Sequence, residues 1–490
     1  MTEFRLSPLT VASAVLTAGI WSLVFGIPLA VVLGIVWSPW SVLGVFGVML
    51  LVVGVTALVS WLRWRATTYS VSGERFVLKS GVLKRTTRTF ARNRIRAIDL
   101  SSGPVQRLLG LASVHIGTAE QTGSDGSAVL TPVPRDEAKW LQAELLPRGG
   151  VVTTLGRFEP SWLRYAPLSW VPVAVAAGVL GVLAQFAEPF GELAWRFASD
   201  AAAVIGWWLI VGALVAVPLI IGVITSIVIH TELWWNHRLE RDSGTIRVRR
   251  GLLTTRTVSL PEERLRGVRV AEPLGIRLVR GAQLEALAIG LKNQGSSDGN
   301  DELSQSNVLL PYAPRATVAE IAARVLMSDA PVLNPERLTP HPKGALRRRL
   351  LRVLWVVLGW VAITAPIAWL WLPGWWWAVV VGALVIAGSG VGMAWDLWRN
   401  LGHALDERHL VTRSGTLQRI TDVLERDAII GWNLRQSVFQ RRRGLITVVA
   451  TTGAGSGACT VLDAATDDGV ALADAATPGL LTPFLKAGNG

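Results

Sequence analysis

One cysteine, Cys459, stands in 490 residues. An internal disulfide and a cysteine-built metal cage are both excluded. Charge is scarce as well. Asp, Glu, Lys and Arg make up 17% of the chain against 51% hydrophobic residues, whereas soluble domains carry about 25% charged residues. The scarcity is concentrated: from Leu6 to Leu62 no residue is charged. The six histidines (His115, His230, His237, His341, His403 and His409) include no His-x-x-x-His pair. None has cysteine or paired carboxylates beside it, so no metal set is offered. No Ser/His/Asp constellation emerges from spacing, and no cofactor is implied. The long apolar runs hold no Asp, Glu, Lys or Arg. Such groups mark proton relays and ion paths, so their absence argues against a proton-coupled transporter.

What fills the chain instead is apolar sequence in long runs. A span needs about 20 apolar residues. Three pairs of runs meet that length, at about 9–36 with 41–62, 167–187 with 201–229, and 353–372 with 375–395. They read as six transmembrane helices in three hairpins, over 9–62, 167–229 and 353–395. The first run is too long for a signal peptide and lacks a small-residue cleavage site, so an uncleaved anchor is expected. The segments after each pair are basic near the apolar runs (Arg63, Arg65, Arg238, Arg241, Arg399), and Arg347–Arg349 precede the third pair. The short turns "WSPW" and "WLPGW" carry no charge. The positive-inside rule then places both termini and all large segments in the cytoplasm, with the plasma membrane as location. The net charge of +13 belongs to these flanks, and nucleic acid is not an expected partner.

The segments between the runs repeat. "GVLKRTTRTFARNRIRAIDL" from Gly81 lies over "GLLTTRTVSLPEERLRGVRV" from Gly251 and "GTLQRITDVLERDAIIGWNL" from Gly415 without gaps. Arg107, Arg277 and Arg441 then coincide. So do the alternating stretches that start at Val114, Leu284 and Val448. A period of roughly 165 residues is a duplication of whole domains. The repeats cover 66–150, 230–335 and 400–485. Each reads as short alternating strands divided by Gly turns, a glycine-rich hairpin ("QTGSDGS", "NQGSSDGN", "TTGAGSG") and a terminal helix, which suggests a small barrel with a helix closing one end. "GAGSG" at Gly453–Gly457 lies between two strand patterns, so it reads as a β-turn, not a phosphate loop. Asp136–Glu137 and Asp467–Asp468 suit helix N-termini.

With "QRLLGLASVHIGTA" from Gln106 as its best-matching stretch, this pattern resembles the bacterial pleckstrin-homology-like (PH-like) domain family, formerly domain of unknown function 304. Three hairpin-plus-module units in one chain resemble its YdbT-type membrane proteins. The second repeat departs at Ile276, where the others have glutamine, and at Arg280, where they have Gly110 and Gly444. The resemblance implies an α + β membrane protein, each hairpin followed by a cytoplasmic PH-like β-barrel with a C-terminal helix. It implies no enzymatic reaction.

The expected function is a non-enzymatic platform for interaction or for contact with a lipid surface. The alternative is a component of a transport or efflux complex for amphipathic substrates. Expected partners are the lipid bilayer, anionic lipid headgroups and a smaller homologous membrane protein. The candidate contacts are Lys84, Arg88, Arg92 and Arg94. Alternation puts Lys84 and Arg88 on one strand face and Arg85 on the other. The same run reads equally as a solvated positive face. The module 66–150 alone is expected to fold and to be β-rich. Topology is testable in a protein freed of Cys459: cysteines at Ser124 or Ser297 stay unlabelled by an impermeant reagent in intact cells, and labelling there reverses the orientation.

Overall fold

The computed structural model describes residues 3–480, apart from 37, 73–74, 82–85, 92–94, 119–126, 146–151, 186–190, 193–194, 197–198, 201–202, 205, 243, 290–306, 329–332, 334–335, 337 and 372–373. Strand β1 (Glu3–Arg5) precedes helices α1 (Leu9–Val36) and α2 (Pro39–Ala66). Then come β2 (Thr68–Val71), β3 (Arg75–Ser80), β4 (Thr86–Ala91), β5 (Ile95–Ser102), β6 (Leu111–Thr118), β7 (Ser127–Pro134) and helix α3 (Arg135–Leu145). The second round comprises β8 (Thr153–Arg157), α4 (Val171–Gln185), α5 (Trp207–Trp234), β9 (Arg238–Asp242), β10 (Thr245–Arg250), β11 (Thr255–Pro261), β12 (Leu265–Pro273), β13 (Gly281–Ala288), β14 (Val308–Pro314) and α6 (Arg315–Val325). The third comprises β15 (Thr339–Pro340), α7 (Lys343–Leu370), α8 (Trp376–Arg399), β16 (Gly402–Leu405), β17 (His409–Ser414), β18 (Gln418–Glu425), β19 (Ile429–Arg435), β20 (Leu445–Thr452), β21 (Ala458–Ala465) and α9 (Thr466–Ala476). The chain divides into two compact units, Met1–Phe158 with Val228–Glu262, and Glu159–Ile227 with Glu263–Gly490.

Among the described residues, α1, α2, α5, α7 and α8 are each long and apolar enough to cross a membrane. The sixth expected span departs from a straight helix. A 3-10 helix over Pro160–Leu168 and α4 meet at 47°. Pro167 and Pro172 flank the break, and each removes an N–H and crowds the preceding turn. The third pair also begins earlier than its apolar run at 353: α7 starts at Lys343, so its first turns are basic.

In the first unit β1-β2-β3-β4 form a four-stranded antiparallel sheet. Inward-facing Tyr69, Phe76, Leu78 and Phe90 pack with Val114, Leu130 and Val133, and α3 covers them with Ala138 and Leu141. The other sheet has seven strands in the order β7-β6-β5-β11-β10-β9-β8. The second unit repeats the arrangement, with a seven-stranded sheet in the order β14-β13-β12-β18-β17-β16-β15 and a three-stranded sheet β19-β20-β21. There Leu410, Leu424, Val448, Ala450 and Val461 pack under Leu472 and Ala473 of α9.

Two expectations change as a result. First, the sheets are open and are shared between consecutive repeats. The fourth strand of one repeat (β11, β18) pairs with the fifth strand of the repeat before it (β5, β12), so no repeat closes its own barrel. An unpaired edge leaves a row of N–H and C=O groups without partners, and each repeat satisfies its neighbour's. Second, each repeat begins before its apolar helices. β1, β8 and β15 precede them and pair with β2, β9 and β16, which follow. The helices are thus an insertion between a repeat's first and second strands, and the bounds 66, 230 and 400 omit one strand each. A fragment 66–150 would lack β1 and would bare the edge of β5.

The departures of the second repeat have local causes. Gly110, Arg280 and Gly444 have φ of 68°, 58° and 62°, so the arginine keeps the left-handed turn of the two glycines. Gln106 and Gln440 accept from the backbone N–H of Gly103 and Ser437, at 3.1 and 2.9 Å. The second repeat has Pro273 at that place, which carries no N–H. Its partner Ile276 is free to be apolar and is fully buried. The hairpin at Gly453–Gly457 does join two strands, β20 and β21. All three closing helices run 11 residues. The acidic pairs of the first and third lie in the first turn, as expected.

The β12–β18 seam is fastened by buried ion pairs. Arg269 grips Asp422 with two bonds, Nε–Oδ1 at 2.6 Å and Nη2–Oδ2 at 3.0 Å. Burial opposes the charge on Arg269, but the bond to Asp422 and its negative charge outweigh that, and the guanidinium pKa is raised. Arg419 grips Glu272, 2% exposed, with Nη2 at 2.5 Å, and Arg315 adds a third arm at 3.4 Å. Removing one partner of a buried pair costs about 3–5 kcal/mol, because the other charge is stranded. Exposed pairs contribute about 0–1 kcal/mol. Glu272→Ala is therefore expected to lower the thermal midpoint of the detergent-solubilised protein far more than Arg266→Ala, which breaks the half-exposed pair with Glu425 at 3.5 Å. Equal shifts would show that the seam does not depend on these charges.

Candidate functional site

The entrance of the apolar helices into each repeat is built from tryptophan and arginine. Trp64 and Trp398 hold the same repeat position near the ends of α2 and α8. Trp64 Nε1 donates to the Leu6 carbonyl at 2.8 Å. Trp398 Nε1 donates to the carbonyls of His341 at 3.2 Å and Pro342 at 3.3 Å. Both sets of acceptors lie just after the strand that precedes the helices, β1 or β15. Each indole thereby ties the entering chain to the departing helix. Trp234 is the third of the set and is buried. The Arg250 guanidinium stacks over its ring at 4.3 Å. Burial, and then the charge of Arg256, pull the Arg250 pKa down to about 10. That is still well above neutral pH, so the residue stays cationic and the ring face offsets part of its lost hydration.

The other helix of a pair is held from the opposite side. Thr10 Oγ1, at the start of α1, donates to the Pro132 carbonyl on β7 at 2.8 Å. At the start of α7, Arg348 and Arg349 both pair with Asp463 on β21, the second through Nη2 at 2.8 Å. Pro132 and Asp463 each lie three residues before a closing helix. Asp463 has φ of +56°, which aspartate tolerates better than most residues. Its carboxylate also accepts from Gln440 Nε2 at 2.8 Å. Beside this foot, His341 Nε2 and His403 Nδ1 lie 3.1 Å apart and are buried. Burial, and then the neighbouring His403, lower the His341 pKa to about 4, and burial lowers that of His403, so both rings are neutral at neutral pH. Among the described residues no group of three or more His, Cys, Asp or Glu side chains gathers to hold a metal.

In the first and third repeats the exposed surface at these helix ends, a collar in each repeat, is cationic and aromatic. Arg65 lies over the Trp61 ring at 5.1 Å and Arg399 over Trp395 at 5.4 Å, at matching repeat positions one helical turn apart. The rings remain 41% and 50% exposed. Arg63, Arg65, Arg347, Arg352 and Arg399 are exposed at the ends of the apolar helices. Indoles prefer the headgroup level, being apolar bodies with one polar N–H. Such a surface can bind anions and lipid.

Of the four residues chosen from sequence, only Arg88 lies among those described. It sits on β4 opposite Leu78, half-buried, and shares a strand face with the buried Phe90. Lys84, Arg92 and Arg94 lie outside the described residues, as does Arg85. The collar's internal bonds escaped sequence reasoning because β1 and β15 are three and two residues long. A strand that short shows no periodicity. The available signal was the recurrence of Trp64, Trp234 and Trp398 at one repeat offset.

In Bacillus subtilis (strain 168), the UPF0699 transmembrane protein YdbT is 22% identical over 318 residues, covering 60% of this chain and 62% of that protein. The chain thus matches less than two thirds of that relative's length. No solved structure matches. The bacterial PH domain profile matches three times, at residues 13–148, 172–328 and 348–477, and each match takes in apolar helices and the strands after them. Three matches spanning most of the sequence, each over one repeat, show that this chain belongs to the bacterial PH domain family.

Proposed function

We propose that this membrane protein is a non-enzymatic platform, with six spans in three hairpins, whose PH-like repeats lie on the cytoplasmic side of the plasma membrane and hold anionic lipid at the collar. The observation that carries the reading is the pair of matched stacks, Arg65 on Trp61 and Arg399 on Trp395, at the ends of apolar helices. A stacked guanidinium is held at the depth of the indole, and the indole belongs at the headgroups. Helices are bonded to strands within each of these repeats, through Trp64 and Thr10 in the first and through Trp398 and the Arg348/Arg349–Asp463 cluster in the third. Lys84, Arg92 and Arg94 remain sequence-based candidates for contact with anionic lipid in this proposal. Arg88, on the Phe90 face of β4, contributes less.

The test uses full-length protein in neutral detergent, titrated with brominated phosphatidylglycerol or brominated phosphatidylcholine and read by tryptophan quenching. Each positive charge near an anionic surface contributes about 1 kcal/mol, and 1.4 kcal/mol is tenfold in affinity. Arg65→Gln/Arg399→Gln is therefore expected to weaken phosphatidylglycerol binding about thirtyfold, with phosphatidylcholine binding unchanged. High salt should mimic the substitutions. Equal affinity of the unmodified protein for the two lipids contradicts the proposal.

A further inference from the structure

The two seams between repeats are built to one plan. At the first, Ser102 of β5 lies opposite Thr255 of β11, and Ser101 opposite Arg256. At the second, Glu272 of β12 lies opposite Arg419 of β18, and Ala271 opposite Ile420. These are equivalent positions under the repeat spacings set by Gly81, Gly251 and Gly415, so the register is the same at both. An arginine of each repeat also reaches into the next. Arg107 bonds the Leu252 carbonyl, and Arg277 Nη2 bonds Asp396 Oδ1 at 2.9 Å.

Three repeats make two seams and leave one half-seam at each end. β4, the fourth strand of the first repeat, is a sheet edge, and so is β19, the fifth strand of the third. Among the described residues no strand pairs with the outer side of either. The effect on side chains is visible. Val270 of β12 is 3% exposed, whereas Leu434, its equivalent on β19, is 38% exposed, and Ile430 is 70% exposed. Arg441, the counterpart of the two latch arginines, is exposed. An open edge with apolar side chains is a template for another strand. The strand type that fits a fifth-strand edge at both internal seams is a fourth strand in antiparallel register, and β4 is such a strand.

We propose that β19 docks β4 of a second copy of this chain, in the register of the internal seams. Leu434 then faces Thr87, and Trp432 faces Thr89. Asn433 faces Arg88, so that an amide oxygen can accept from the guanidinium where Asp422 accepts from Arg269 at the second seam. The contact is head-to-tail. It therefore closes into a ring or extends as an array.

Two full-length copies with different tags, both Cys459→Ala, test this in membranes. One carries Leu434→Cys and the other Thr87→Cys. Residues directly opposite in an antiparallel pair have Cβ atoms about 4.5–5.5 Å apart, close enough for a disulfide to form under mild oxidation. Pairing Leu434→Cys with Ala91→Cys displaces the thiols by about 13 Å along the strand and should give no product. A second chemistry reads the same contact: Leu434→Lys abolishes co-purification of the two tags, and Thr87→Glu on the other copy restores it. Absence of both the disulfide and the co-purification overturns the proposal. So does a disulfide that forms equally in and out of register. Capture by β19 of a smaller homologous membrane protein, with no capture of a second copy, overturns it as well.

Discussion

The backbone edge is the constraint on which this structure depends. A strand edge facing water is tolerable; a long, flat one is a hazard. Besides the outer edges at its first and seventh strands, each repeat here has an edge at its fourth strand and one at its fifth, and does not pair these two with each other. The fifth-strand edge of one repeat is covered by the fourth strand of the next, twice, in the same register. The domain as a unit of sequence and the sheet as a unit of structure are therefore offset by half a repeat. The second seam adds Arg269–Asp422 and Arg419–Glu272, whose burial makes each partner dependent on the other. The first has Ser102 opposite Thr255 at the place of the second of these pairs, and it relies there on backbone pairing.

The apolar helices are bound into the same scheme. They enter between the first and second strands, and in the first and third repeats both helices are bonded to their own repeat. The indoles of Trp64 and Trp398 make the tie on one side, and Thr10 or Arg348 with Arg349 makes it on the other. A tether would let the module drift from the bilayer. These ties join strands to helix ends where the guanidinium groups of Arg65 and Arg399 lie beside indoles. The fold thereby sets where the charge sits, which composition alone does not.

Much of this was legible in the sequence. Uncharged runs gave the helices, because twenty apolar residues have few other uses. Gly81, Gly251 and Gly415 gave the repeat, because each holds positive φ and, at the latter two, a side chain would strike backbone at Thr254 or Gln418. Strand pairing was not legible. Alternation reports which face of a strand is buried and is silent on which neighbour fills its edge, so closed barrels and shared sheets give the same pattern. The bend before α4 lay hidden in an apolar stretch whose prolines are ordinary in spans. Arg280 stands where the other repeats have glycine and is an arginine in the glycine conformation. Alternation put Arg88 on one strand face with Lys84, and the register of β4 against β3 adds that Phe90 shares that face.

The sharing of sheets between repeats is the central claim, and disulfide trapping within one chain measures it directly. In a Cys459→Ala background, Val268→Cys on β12 faces Val423→Cys on β18. Continuous sheets predict rapid intramolecular cross-linking of this pair and none between Val268→Cys and a cysteine at Arg419, four residues along the strand. If each repeat instead closed its own barrel, β12 and β18 would not be neighbours and the in-register pair would stay reduced.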